Sequence, residues 1–199
     1  MRKILAIVLT ILMLCAALVG CGKKEAVFRP GTISGNIYES EWLGIRYTAP
    51  AGMRMSTEEE IRDAMEIGNE LLYEDGGDTE WEDVASLYEM MAAEDTTGEN
   101  INIVTQKLQN KTMDEEAYAE VAKLQLQQMD GTTISIGSVE DCTIAGLEFL
   151  EMQYSMELYG VTFHQSMFLH KQGDRMVVMT ATYFDELGRS LLLSGFSAM

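Results

Sequence analysis

The fold is decided by the stretch 148-EFLEMQYSMELYGVTFHQSMFLHKQGDRMVVMTAT-182. Apolar and polar side chains alternate along Glu148–Leu158 and, less regularly, along Val161–His170, which is the pattern of strands with one buried face. In Arg175–Thr182, apolar residues occupy both odd and even positions, which indicates a strand covered on both faces. Tight turns at residues 159–160 and 172–173 would join these strands. The stretch therefore predicts three successive antiparallel strands.

Shorter elements precede and follow this stretch. The other predicted strands are Asn36–Tyr38, Ile45–Ala49, Val84–Ala92, Ile101–Leu108, Ile134–Ile136 and Cys142–Ile144. Strands in succession with segregated helices predict an α+β fold, an antiparallel sheet flanked by helices.

Three helices are predicted between and after the strands. The first begins at a capping box made either by Ser56 with Glu59 or by Thr57 with Glu60. The second begins at Thr112 with Glu115, and its inward-facing residues would be Ala117, Val121 and Leu124. The third covers about Asp185–Leu193.

The order of these elements resembles a known fold family. The chain has a leading strand pair, YESEWLGIRYTAPAGM (38–53), a strand TIAGLEFLEMQY (143–154) and a final helix ending in LLLSGF (191–196). This resembles the PsbP/Mog1-like α/β/α sandwich, a shape found in many small bacterial lipoproteins of unknown function. Members of that family have unrelated functions, so the resemblance implies a fold and no functional residue.

The amino terminus predicts an address and an attachment. Arg2-Lys3 precedes an apolar stretch, Ile4–Val19, that is shorter than the ~20 residues of a spanning helix, as in a cleaved secretory signal. The sequence 18-LVGC-21 resembles the bacterial lipoprotein signal (lipobox). That resemblance implies that Cys21 becomes the first mature residue and carries fatty-acyl chains such as palmitate.

These observations predict three segments: a signal peptide at residues 1–20, a lipidated cysteine with a flexible tether at 21–34, and one domain at 35–199. The signal holds two of the 14 basic residues and none of the 32 acidic ones, so the mature chain carries a net charge of −20. Such a charge repels phosphate backbones and excludes nucleic-acid binding. It also repels anionic lipids, so the acyl chains would provide the contact with the membrane.

No motif for catalysis occurs in the chain. Gly-x-Ser-x-Gly, His-Glu-x-x-His, Ser-x-x-Lys and Cys-x-x-Cys are all absent, and there is no glycine-rich phosphate loop. Once the signal and Cys21 are set aside, Cys142 is the remaining thiol. A buried structural cysteine is favoured there over a nucleophile. The sequence predicts no enzyme and no cofactor, with a Cys- or His-dependent enzyme as the less favoured alternative.

Metal sites are also disfavoured. His164 and His170 lie six residues apart on one strand, about 20 Å, too far to share an ion. Met152, Met156 and Met167 suit Cu(I) chemically, but they fall at apolar positions where methionine fills cores. The acidic loop Glu74–Asp83 offers a weak Ca²⁺ alternative through Asp75, Asp78, Glu80 and Asp83. A solvated acidic surface is favoured over this calcium site.

One polar patch is a candidate ligand site. If Leu158 pairs with Val161, Ser155 lies opposite His164 and Gln153 opposite Ser166. The patch would then consist of the residues on one sheet face, namely Gln153, Ser155, Glu157, His164 and Ser166. A solvated sheet face, or polar groups satisfied beneath a helix, is the competing interpretation.

The function predicted from the sequence is a non-catalytic binding or accessory module, lipid-anchored on the extracytoplasmic side of a bacterial cell membrane. Its candidate partner is an envelope protein, which would contact an exposed apolar or aromatic surface, for example near Trp81. The alternative is a lipoprotein that binds a small ligand or Ca²⁺.

Overall fold

A computed structural model describes residues 27–57, 59–61, 85–128, 133–158 and 160–199. The predicted signal peptide, Cys21, the acidic loop with Trp81, and the predicted first helix beyond Ile61 lie outside the described residues. In the part of the chain that is described, no helix is long and apolar enough to cross a membrane.

The described elements form two antiparallel sheets and two helices. The strands are β1 (Thr32–Ser34), β2 (Ile37–Ser40), β3 (Ile45–Thr48), β4 (Met53–Met55), β5 (Ser86–Glu94), β6 (Asn100–Lys107), β7 (Thr133–Ile144), β8 (Leu147–Leu158), β9 (Val161–Gln172), β10 (Arg175–Tyr183) and β11 (Phe196–Ala198), and the helices are α1 (Glu115–Gln127) and α2 (Glu186–Leu193). The large sheet has the order β4-β5-β6-β10-β9-β8-β7, and the small sheet has the order β1-β2-β3-β11. The predicted α+β class is confirmed.

The three predicted long strands are β8, β9 and β10, and their pairing is antiparallel as expected. Leu158 pairs with Val161, which confirms the predicted register. Gly160 lies between β8 and β9, and Gly173 lies between β9 and β10. Their φ values are positive, 80° and 61°, a region that glycine enters without strain. Strand β10 lies in the middle of the large sheet and is buried on both faces, as its sequence indicates.

Two layers cover the large sheet. On one face, α1 packs Ala119 and Ala122 against side chains of β8 to β10 such as Met152 and Leu169. On the other face, the main core joins the large sheet to the small sheet and to α2 through residues such as Tyr38, Tyr47, Phe168, Val177 and Leu192. The resemblance implied helices on both faces, whereas here a second sheet shares one of them.

The methionines at apolar positions belong to the core. Met152 is fully buried, and Met156 and Met167 pack around it beneath α1. This confirms the core interpretation for these three thioethers.

Helix α1 differs from its prediction at two points. Its N-cap is Asp114, which accepts a hydrogen bond from Ala117 N (2.9 Å), while the Thr112 hydroxyl donates to Asn110 instead. The predicted inward stripe is wrong: Val121 and Leu124 are 44% and 58% exposed, and Ala117 is exposed too. The buried positions are the two alanines, whose small side chains let the helix approach the sheet closely.

The caps of the first and third predicted helices agree with the sequence. Thr57 N donates to Glu60 Oε2 (2.8 Å) and Glu60 N to Thr57 Oγ1 (3.2 Å), so the second of the two capping alternatives is the one formed. Helix α2 begins after Asp185, which accepts a bond from Gly188 N, and it ends at Leu193 as predicted.

Two predicted short strands merge at the edge of the large sheet. Ile134–Ile136 and Cys142–Ile144 are parts of one strand, β7, whose pairing with β8 shifts register between Ile136 and Val139. The shift is a β-bulge, where extra residues leave the regular ladder. Gly137 stands within it, and a Cβ there would lie 3.2 Å from the carbonyl oxygen of Gln153.

The domain begins earlier than predicted. Residues 28–34, which the sequence analysis assigned to the flexible tether, form an amino-terminal strap on the core. The Phe28 ring is buried with its centroid 4.9 Å from that of Trp42, and the Arg175 guanidinium lies 3.9 Å above it. Gly31 N donates to the buried carboxylate of Glu89 (2.9 Å), and β1 pairs with β2.

The strap was missed because 28-FRPGTIS-34 shows no periodicity, and because its buried contacts include Glu89 and Arg175, which are distant in sequence. The boundary at residue 35 is therefore wrong: the fold includes the chain from Phe28 onward.

Phe28→Ala should lower the free energy of unfolding by about 3 kcal/mol, because it removes a buried aromatic side chain and its contacts with Trp42 and Arg175. Urea denaturation followed by circular dichroism measures the change. Val27→Ala is the matched control: Val27 is 63% exposed, and its loss should change stability by less than about 0.5 kcal/mol. Equal stability of the Phe28 variant and the wild type would mean that the strap is no part of the fold.

Candidate functional site

The structure places the five residues of the predicted polar patch on one face of the β8–β9 hairpin. Ser155 lies opposite His164, Gln153 opposite Ser166, and Glu157 opposite Thr162, as the predicted register requires. Their surroundings, however, divide the patch into a covered inner end and an open outer end.

The inner end is occupied by a hydrogen-bond network around Glu151, which lies two residues before Gln153 on the same face of the sheet. Ser166 Oγ donates to Glu151 Oε1 (2.6 Å), and Gln153 Nε2 donates to the same oxygen (3.0 Å). From α2, Arg189 Nη2 donates to both carboxylate oxygens at 2.8 Å. The Tyr183 hydroxyl lies 3.1 Å from Ser166 Oγ. We call these five residues the Glu151 network.

The Glu151 network holds α2 against the sheet. Glu151 and Ser166 are buried. Burial disfavours the Glu151 carboxylate, but the hydrogen bonds from Ser166, Arg189 and Gln153 outweigh it and keep the pKa of Glu151 below its ordinary value. For Gln153 and Ser166 the competing interpretation therefore applies, since both are satisfied beneath a helix.

Sequence reasoning did not single out Glu151 or Arg189. Glu151 lies at the same parity as Gln153 and Ser155, so it was grouped with residues facing solvent. The available signal was Arg189, the one cation in the closing helix ELGRSLLL (186–193). A cation there can pair with a carboxylate of the strand beneath, but the alternation pattern does not identify which one.

The outer end of the patch faces solvent. Glu157 and His164 are exposed and Ser155 is partly exposed, and the His164 ring stacks on Tyr183 with centroids 5.9 Å apart. A ligand at Ser155, Glu157 and His164 stays a prediction.

The two histidines occupy separate environments. His170 Nδ1 lies 2.8 Å from the carbonyl oxygen of Glu148, and its ring contacts Phe149. Among the described residues, no three His, Cys, Asp or Glu side chains are grouped so that they could hold a metal ion. The calcium alternative at Asp75, Asp78, Glu80 and Asp83 lies outside these residues.

Cys142 does not have the surroundings of an activated nucleophile. Its thiol is partly buried against the main core, and burial, followed by the negative charge of Glu151, raises its pKa to about 11. A reactive thiol needs the opposite shift, since the thiolate is the attacking species.

An exposed apolar surface lies on and beside α2. Phe184, Leu187 and Leu191 are 43%, 79% and 45% exposed. Leu187 and Leu191, four residues apart, lie on one side of the helix, and Phe184 comes just before the N-cap; we call these three residues the α2 ridge. Carboxylates border it: Asp185 at the N-cap, Glu186 in the first turn, and Glu99, whose Oε1 accepts a bond from Phe184 N (3.3 Å).

No protein-family model matches the chain, and no curated protein matches it. Solved structures that are similar to it include the following three, each at 11% identity. The solution structure of cyanobacterial PsbP (CyanoP) from Synechocystis sp. PCC 6803 has a TM-score of 0.49 and covers 90% of this chain and 98% of its own.

LpqN of Mycobacterium tuberculosis, described as involved in cell envelope biogenesis, has a TM-score of 0.41 and covers 77% of this chain and 82% of its own. A protein of Bacteroides thetaiotaomicron VPI-5482 has a TM-score of 0.40 and covers 84% and 49%. These likenesses concern the fold and carry no argument about function.

Arg189→Met should destabilise the protein by about 2 kcal/mol near pH 7, because it leaves the buried Glu151 carboxylate without its ion partner. In the wild type the folded-state pKa of Glu151 is lowered, so its stabilisation is present above the ordinary value of 4.5 and is lost as the pH falls. In the variant, burial without the guanidinium raises that pKa, so protonation relieves the cost.

The difference in the free energy of unfolding between the wild type and Arg189→Met should therefore become smaller as the pH falls from about 7 to about 4. Urea denaturation at each pH measures it. Arg54→Met, which removes an exposed ion pair with Glu60, is the control and should change little. A deficit that widens on acidification would contradict this role of Glu151.

Proposed function

We propose that this protein is a membrane-anchored extracytoplasmic lipoprotein that acts as a non-catalytic binding or accessory module of the cell envelope. The observation that carries the binding role is the α2 ridge. Leucine and phenylalanine side chains exposed side by side are typical of surfaces that contact another protein.

The attachment is inferred from the lipobox at residues 18–21. The amino-terminal strap adds to it, because six residues separate Cys21 from Phe28, the first buried residue of the described chain. Those residues extend at most about 25 Å between the two positions. An acylated Cys21 would therefore hold the domain next to the bilayer.

The partner proposed for the α2 ridge is an envelope protein with a complementary surface. The ridge offers an apolar centre with a carboxylate border at Glu99, Asp185 and Glu186. This arrangement fits a partner that presents apolar side chains flanked by lysine or arginine. The Glu151 network, which holds α2 on the sheet, would keep the ridge in a fixed orientation.

Cys21→Ser should move the protein from the membrane fraction to the soluble fraction, or leave it as an unprocessed precursor, because the serine side chain cannot form the thioether to lipid. Cell fractionation and the mass of the intact protein measure both outcomes. Cys142→Ser is the matched control and should remain processed and membrane-bound. Normal processing and membrane retention of the Cys21 variant would contradict the proposed anchoring.

A photo-crosslinking benzophenone amino acid in place of Leu187 should give a discrete adduct of higher mass in intact cells, because the α2 ridge would lie against the partner. The same replacement at Leu124, an exposed leucine of α1, is the control and should give no such adduct. Leu191→Ser should weaken the adduct at position 187. The same adducts from both positions, or none from position 187, would contradict the proposed docking surface.

A further inference from the structure

A cavity of about 290 Å³ lies beside the amino-terminal strap. Its lining brings together residues of the strap, the β2–β3 turn and the carboxyl terminus, including Arg29, Thr32, Glu39, Glu41, Trp42 and Met199. The volume is near the lower end of the ~300–1,000 Å³ of small-molecule sites. A headgroup-sized ligand fits this volume better than a large metabolite does.

Contacts outside the cavity fix three of its walls. The strap is held by the bond from Gly31 N to Glu89 and by the Phe28 contacts with Trp42 and Arg175. Gln172 Nε2 donates to the carbonyl oxygen of Trp42 (2.5 Å). Met199 N donates to the carbonyl oxygen of Gly44 (3.0 Å), which holds the last residue in place. Walls fixed before binding reduce the entropy cost of taking up a ligand.

Two charged residues of the lining, Arg29 and Glu41, are exposed. Glu39 is engaged by Arg46, whose Nη2 lies 2.5 Å from its Oε1. Among the described residues, by contrast, neither Arg29 nor Glu41 has a hydrogen bond or an ion pair from its side chain. A guanidinium is suited to a phosphate, and a carboxylate next to an indole is suited to an ammonium group.

We propose that this cavity binds a zwitterionic ligand that carries a phosphate and an ammonium group, as in an aminophospholipid headgroup. Arg29 would bind the phosphate, and Glu41 with the Trp42 ring would bind the ammonium. A simple anion would meet Glu41 without compensation, and a simple cation would meet Arg29. A ligand of both charges satisfies both groups.

The membrane is the nearest source of such a group. The strap that forms one wall begins seven residues after Cys21, at most about 25 Å along the chain. This choice of source rests on the proposed anchoring, whereas binding in the cavity does not. The two parts are therefore tested separately.

The test of binding uses tryptophan fluorescence. The chain has two tryptophans, so Trp81→Phe leaves Trp42 as a reporter in the cavity wall. The predicted mature chain without its cysteine, residues 22–199, carrying Trp81→Phe, is titrated with O-phosphoethanolamine. We expect a saturable change in Trp42 emission. Inorganic phosphate and ethanolamine, tested singly, should bind about tenfold more weakly, because each satisfies one charged group only.

Arg29→Gln and Glu41→Gln should each weaken the binding of O-phosphoethanolamine about tenfold. Arg54→Gln and Glu120→Gln, which change the same charges at exposed positions away from the cavity, are the matched controls and should bind like the parent. Equal binding by all four variants, or no saturable change with the parent, would overturn the proposal. Equal binding of inorganic phosphate alone would overturn its zwitterionic part.

Flotation with vesicles distinguishes the source. The same protein should float with mixed phosphatidylethanolamine and phosphatidylglycerol vesicles and not with vesicles of phosphatidylglycerol alone, and Arg29→Gln should abolish flotation. Binding of the soluble probe without flotation would support the cavity and reject the membrane as its source. Because residues 22–199 lack both the apolar signal and Cys21, neither result depends on the signal or on whether Cys21 is lipidated.

Discussion

The need to cover both faces of β10 organises the whole molecule. This strand lies at the centre of the seven-stranded sheet, and its apolar residues point to both sides. One layer of helices would therefore leave half of its side chains in water. Helix α1 covers one face, and the small sheet with α2 covers the other. The strap and β11, short as they are, help to complete that second cover, which is why the folded chain extends from Phe28 to the last residues.

Buried carboxyl groups join these layers at two places. Glu151 on the sheet meets Arg189 on α2, and Glu89 on the sheet meets the backbone of the strap at Gly31. Glu151 accepts bonds from three side chains, and Glu89 Oε2 accepts bonds from Gly31 N and the Tyr38 hydroxyl, so removing a donor would leave a buried acceptor unsatisfied. Apolar packing alone would allow a helix or a strap to slide on the sheet. These contacts give α2 and the strap one position each, and so fix the surfaces that they carry.

The large sheet could be predicted well from the sequence, whereas the elements that cover its two faces could be predicted less well. Strands β8 to β10 were all predicted, and the register of β8 with β9 was predicted too, because a one-residue slip would move every apolar side chain to the wrong face. The inward face of α1 was predicted wrongly, since larger apolar residues were favoured over Ala119 and Ala122. The strap and β11 carry no periodicity of their own. The five residues of the polar patch were correctly predicted to share one sheet face. That Arg189 covers the inner end of this face could not be predicted, because it depends on where α2 packs, and the alternation pattern of a strand does not contain that information.

The bulge in β7 affects how neighbouring copies of the protein would meet on a membrane. Strand β7 is twelve residues long and lies at the edge of its sheet, where unpaired backbone groups invite a neighbouring copy to add a strand. Copies held on one membrane by acyl chains would meet often. The interruption between Ile136 and Val139, followed by Glu140 and Asp141, breaks the straight edge and adds like charges. Neighbouring copies would repel each other at this edge, which protects the proposed anchored form from aggregation.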